Sequence, residues 1–139
     1  MTRFGTDVFR FDLPGDTWVE QTVQVYTPPE DQSTAFMLAR DERTDDPGAD
    51  LETAIRIFPN SRLGEVELVQ SKRSDVGPLD AKDTSFIIRS RLSADYMRVV
   101  SVGYYELELR FCWAGPASAR ESIDARAEHT MKSARFRRR

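Results

Sequence analysis

Residues 85–113 read SFIIRSRLSADYMRVVSVGYYELELRFCW, and this stretch decides the fold. Residues 85–92 and 96–102 are apolar, β-branched runs joined by Ser93-Ala94-Asp95, which predicts a hairpin. Gly103 punctuates. Residues 104–113 then alternate polar and apolar side chains, which predicts a further strand ended by Gly115-Pro116. Upstream, residues 8–13 (VFRFDL) stop at Pro14-Gly15 and predict a short strand. Residues 22–27 (TVQVYT) alternate and stop at Pro28-Pro29. Residues 35–40 (AFMLAR) are apolar at both parities, as in a strand covered on both sides.

A polar loop from Arg43 to Gly48 leads to Asp50, the expected cap of a helix, with Glu52 in its first turn. Leu51, Ile55 and Phe58 mark one helix face, and Pro59 should end it. Leu63-Gly64 closes this segment, residues 66–69 begin another strand, and Val76-Gly77-Pro78 is a turn. Ser118-Ala119-Arg120-Glu121 has the spacing of a capping box. Ile123, Ala127, Met131 and Ala134 then give a narrow apolar helix face, with His129 opposite. Three strands, a helix, four strands and a helix argue an α+β fold, a twisted, mostly antiparallel sheet packed by two main helices.

The chain has 139 residues, 40% hydrophobic and 31% charged, which suits one soluble domain. No apolar run approaches the ~20 residues of a membrane span. No basic start precedes an apolar segment, so no signal peptide and a cytoplasmic location are expected. A lone Cys112 excludes a disulfide framework within the chain. The net charge of −3 hides an asymmetry: residues 1–60 carry 12 acidic and 5 basic side chains, residues 61–139 carry 11 and 15. Lys132, Arg135, Arg137, Arg138 and Arg139 crowd the last eight positions. They read as cations suited to a helix C-terminus, in a domain of residues 1–134 followed by a basic tail at 135–139. The acidic balance elsewhere argues against a nucleic-acid partner.

Familiar catalytic patterns are missing. The glycines build neither GxGxxG nor a P-loop. One histidine and one cysteine do not make a zinc site, and Asp41, Asp45, Asp46 and Asp50 lack the EF-hand pattern, so no metal or cofactor is expected. His129 sits on the polar face of a terminal helix, Cys112 lies inside a strand, and Glu106 with Glu108 reads as the wet side of a strand. No catalytic residue is assigned, and a non-enzymatic protein is expected. What stands out is apolar strand surface. Val23, Val25, Met37, Ala39 and Ile55 form one wall if strands two and three pair and the first helix crosses one end. That wall is either ordinary core or a groove for an apolar partner.

The run Phe11-Asp12-Leu13-Pro14, Trp18 and residues 21–26 (QTVQVY) resembles the start of the DcrB-related family. Residues 36–41 (FMLARD), Asp50-Leu51, Leu63-Gly64, residues 66–68, Gly77 and Pro116 continue the resemblance across nearly the whole chain. It implies a PsbP-like α/β/α sandwich. It also implies a likeness to the Eag chaperones of type VI secretion. Those cytoplasmic homodimers hold the N-terminal transmembrane or amphipathic helices of effectors, often joined to a PAAR domain, without entering the membrane themselves. By that resemblance a client groove is lined by Val23, Val25, Ala35, Met37, Ala39, Leu51, Ile55, Leu63, Tyr96 and Arg98. The chain departs from the pattern with Ile55 and Arg98 at expected glutamines and Ala35 and Ala39 at frequent serines. A buried Arg98 would need an acidic partner or a place at the rim. The same resemblance also allows a PsbP-like interaction module, an immunity or assembly factor, with a different partner.

Overall fold

Residues 85–113 form the centre of a sheet. A computed structural model describes residues 2–5, 10–13, 23–27, 33–43, 46–57, 60–61 and 64–136. In chain order the elements are β1 (Thr2–Gly5), β2 (Arg10–Leu13), β3 (Val23–Tyr26), β4 (Ala35–Glu42) and α1 (Ala49–Ile57). They continue as β5 (Asn60–Ser61), β6 (Gly64–Arg73), β7 (Ala81–Arg89), β8 (Ala94–Tyr104), β9 (Leu107–Pro116) and α2 (Arg120–Ser133). β1 and β2 form a two-stranded ribbon. The other strands form one sheet in the order β3-β4-β9-β8-β7-β6-β5, antiparallel throughout.

The meander β5 to β9 is local, and β9 returns to pair with β4. The chain from β4 to β5 therefore leaves one side of the sheet for the other, and α1 lies on that connection. Each helix covers one face. Beneath α2, Ile123 and Ala127 meet Tyr96, Val100, Val102, Ile87 and Trp113. Beneath α1, Ile55 meets Phe86 and Val99. β8 contributes alternate residues to the two cores, as the pleat requires. Between Leu68 and Gln70 the register with β7 shifts by one residue, and Val69 packs toward the α2 core.

Several boundaries differ from the sequence expectation. β1 was not foreseen, and the strand at 8–13 is described only from Arg10. The strand expected from residue 66 runs from Gly64 to Arg73. α1 begins at Ala49, so Asp50 sits in its first turn instead of capping it. The capping box does not form. A 3-10 turn at Ala117–Ala119 leads into α2, Ala119 stands at the cap, and no side chain bonds there. Phe58, Pro59 and Leu63 lie outside the described residues.

Candidate functional site

The aliphatic strip lies on the α1 face. β3 and β4 pair with Val23 opposite Ala39 and Val25 opposite Met37, so these four positions share a face. The register continues from Met37 to Cys112 on β9 and from Cys112 to Val99 on β8. Ala35, Met37, Ala39, Met97, Cys112 and Ala114 are each half-buried. Ile55 is buried and Leu51 packs beside it, against a core that includes Met97 and Cys112. The strip and the α1 core therefore meet at β9. Burial pushes the Cys112 thiol up to about 11, as expected for an inert apolar-strand cysteine.

Tyr96 and Arg98 stand on the opposite face. Their parity on β8 is that of Val100 and Val102, which pack under α2, so they do not share a wall with Met37 and Ala39. Tyr96 is 2% exposed. Its hydroxyl donates to Asp124 at 2.7 Å, and the Arg120 guanidinium lies 5.1 Å from its ring centroid. Burial and the Asp124 carboxylate raise its pKa. Arg98 donates Nε and one terminal nitrogen to Asp83, at 3.0 and 2.7 Å, and its other terminal nitrogen to Asp124 at 3.2 Å. The Asp83 hydrogen bonds raise the Arg98 pKa against the opposing effect of burial. The buried guanidinium thus has the acidic partners that its place demands.

A charged clasp ties the start of α1 to the sheet. Glu108 is 0% exposed. Its carboxylate accepts from the Gly48 backbone N–H at 2.9 Å and from Arg110 Nε at 2.7 Å. Arg110 also donates to Asp50 at 2.6 Å. Burial disfavours the charge on Asp50, but the Arg110 guanidinium outweighs it and holds this carboxyl below its ordinary value. Lys82 donates to Glu52 at 3.0 Å and to Asp46 at 3.3 Å, and its pKa is raised chiefly by Glu52. Gly48 has φ +78, which favours glycine, and a Cβ there would crowd the Ser101 side chain at 3.2 Å. Glu106 lies in the β8–β9 turn while Glu108 is sealed in this clasp, so the wet strand side expected at these two positions does not form.

On the α2 face, aromatic side chains floor a gutter beside the helix. Tyr26 is 54% exposed and stacks on Phe36 at 5.8 Å, and Phe36 lies 5.3 Å from Trp113. Depressions of about 260, 460 and 430 Å³ share Phe36 and follow α2. His129 lines one of them from an exposed position. Phe136 packs against Tyr104 and Phe111 at 5.9 and 6.1 Å, so the first residues of the basic segment lie on the sheet. Among the described residues no group of three or more His, Cys, Asp or Glu side chains converges as a metal site. No helix among them is long and apolar enough to cross a membrane.

One antiparallel sheet carrying a helix on each face defines the class, the PsbP-like α+β fold. Cyanobacterial PsbP (CyanoP) from Synechocystis sp. PCC 6803 is similar with a TM-score of 0.54 at 9% identity, over 95% of this chain and 89% of that chain. PA94 from Pseudomonas aeruginosa, a protein of unknown function, is similar with a TM-score of 0.70 at 15% identity, over 99% and 98%. LpqN of Mycobacterium tuberculosis, a protein involved in cell envelope biogenesis, reaches 0.50 at 11% identity, over 83% and 82%. At these identities the likeness is one of fold. No family model and no curated protein matches the sequence.

Proposed function

We propose that this protein is a non-enzymatic chaperone or adaptor. It shields an apolar or transmembrane helix of a secreted, type VI-like toxin effector and aids its loading for export, working as a cytoplasmic homodimer of the DcrB-related, Eag-like kind. The observation that carries the reading is the aliphatic strip of Ala35, Met37, Ala39, Cys112 and Ala114, half-buried on the face whose helix packs over the neighbouring strands. Small and flexible side chains there suit an adaptable contact with a client helix. An apolar helix of ~20 residues aggregates in water, and a sheet surface that covers it replaces lipid. Affinity comes from apolar burial of roughly 25 cal/mol per Å², reduced by the cost of ordering the client.

Tyr96 and Arg98 leave this groove, since they support α2 on the other face. The groove consists of the β3–β4–β9 strip with Leu51 and Ile55 at its margin. The exposed Tyr26 on the aromatic gutter favours a second reading, an interaction module for a folded partner such as an immunity or assembly factor.

Co-expression separates them. The tagged chain is produced with the N-terminal apolar segment of a toxin encoded beside its gene. The chaperone reading expects a soluble complex that Met37→Asp or Val25→Asp abolishes while the variant keeps its circular dichroism and unfolding midpoint. An insoluble segment beside a clean, folded protein refutes it. So does a Met37→Asp variant that unfolds, because Met37 is then core.

A further inference from the structure

The α2 face holds another recess, on the opposite side of the sheet from the strip and independent of the proposed function. A cleft of about 620 Å³ opens between the β6–β7 turn and the C-terminal half of α2. That is within the roughly 300–1,000 Å³ of small-molecule sites. Val76, Leu79, Val100, Met131 and Phe136 give it apolar walls.

The charged groups lining it are unevenly matched. Asp83 is held by Arg98, Asp75 by Arg73 at 2.9 Å, and Glu128 lies 3.9 Å from Arg98. Lys132 meets no carboxylate among the described residues, and Arg135 donates to the backbone carbonyls of Lys132 and Ala134. The cleft therefore has apolar walls, three carboxylates that lie by Arg73 or Arg98, and two cations, Lys132 and Arg135, that face no carboxylate among the described residues.

A second observation falls on its rim. Tyr105, in the two-residue turn between β8 and β9, has φ +54, a backbone region that glycine adopts freely and tyrosine does not. The turn is held by Arg43, whose side chain donates to the Tyr105 carbonyl at 3.2 Å and whose backbone N–H donates to Glu106 at 2.9 Å. The Tyr105 ring packs edge-on against Tyr104, which in turn packs on Phe136. Strain kept at a rim aromatic marks a place where the side chain serves something other than the turn.

We propose that this cleft binds a small amphipathic anion, an acyl chain with one carboxylate head. The chain lies between Leu79, Met131 and Phe136, the head lies by Lys132 and Arg135, and Tyr105 closes the rim.

The test is titration of the whole, isotopically labelled chain with dodecanoate below its micellar concentration, followed by amide chemical shifts. Dodecanol and dodecyltrimethylammonium serve as neutral and cationic counterparts. The expected result is saturable shifts at residues 76–79, 104–105 and 131–136, with dodecanoate the tightest of the three. Lys132→Gln with Arg135→Gln, both on exposed positions, should weaken dodecanoate about tenfold and leave dodecanol unchanged. Tyr105→Gly should keep or raise the unfolding midpoint and still weaken dodecanoate. Equal binding of the cation, shifts confined to β4 and β9, or an unchanged affinity in Tyr105→Gly each overturn the proposal.

Discussion

Replacing Glu108 tests how the loop before α1 is fastened. The residue is fully buried and serves two donors, the Gly48 N–H at 2.9 Å and Arg110 Nε at 2.7 Å. Glu108→Ala orphans the Gly48 N–H, which costs about 1–3 kcal/mol. It also strips a partly buried guanidinium of one carboxylate. Breaking a buried pair costs about 3–5 kcal/mol, but Arg110 keeps Asp50, so only a part of that applies. A total of about 3 kcal/mol follows. Unfolding entropy near 2.1 cal/mol/K per residue gives roughly 0.3 kcal/mol/K for this length, so the midpoint should fall about 10 °C. Glu108→Gln keeps an acceptor for Gly48 and loses the charge, and should cost about half as much. Urea unfolding followed through the buried Trp113, with amide exchange over residues 46–52, measures both. A loss below about 1 kcal/mol in Glu108→Ala, or equal losses in the two variants, refutes the clasp.

Four further outcomes are expected. Asp83→Ala leaves Arg98 with Asp124 and should cost about 3 kcal/mol, read as a lower urea midpoint at unchanged slope. Cys112, with its thiol pushed up to about 11, is about one part in a thousand thiolate at pH 8, so native protein should resist iodoacetamide and unfolded protein should not. Because that pKa is raised on folding, its stabilising contribution is present below about pH 9 and fades as the pH climbs toward 11; a flat urea midpoint over that range would count against it. Asp50 shifts the other way: its contribution is present above the ordinary value of 3.8 and fades as acid titrates the lowered folded pKa. Asp50→Asn should therefore flatten the acid limb of stability, and an acid limb as steep as the parent's would dismiss the Arg110 pairing.

The meander β6 to β9 was legible because each strand is long and bounded by Gly, Pro or Ser, so local pattern and pairing agree. The pairing of β3 with β4 entered only as a condition, because β3 has four residues and too little pattern of its own to fix a partner. The face of Tyr96 and Arg98 was not legible. β8 is buried on both sides, with Met97 and Val99 apolar at one parity and Val100 and Val102 at the other, so alternation carries no sign there. What decides it is Asp83 on β7 and Asp124 on α2, each distant in sequence from Arg98. The clasp was hidden likewise, since Glu108 and Gly48 lie sixty residues apart and only the folded register joins them. The capping box failed for a local reason: after Pro116 the chain turns through a 3-10 segment that holds Ser118 inside it, one residue short of the capping position at Ala119.

The same distribution of charge explains how α2 is aligned. Its fully buried side chains are Ile123 and Ala127, a narrow apolar contact for fourteen residues. Burial alone is non-directional, and so small a stripe would tolerate sliding or rotation of the helix across the aromatic sheet. The polar contacts are directional. Asp124 takes both the Tyr96 hydroxyl and Arg98, Arg126 reaches Thr34 at 2.6 Å, and Arg120 covers the Tyr96 ring. A rotation of one residue would break all of these together and leave Arg98 with Asp83 alone among its close partners. Buried ionic groups add little net stability when their desolvation is counted, and their best-attested use is to select one arrangement among several. Here they fix the edge of α2 against which both the aromatic gutter and the large cleft are formed, so the recesses on that face owe their shape to the Arg98–Asp83–Asp124 cluster.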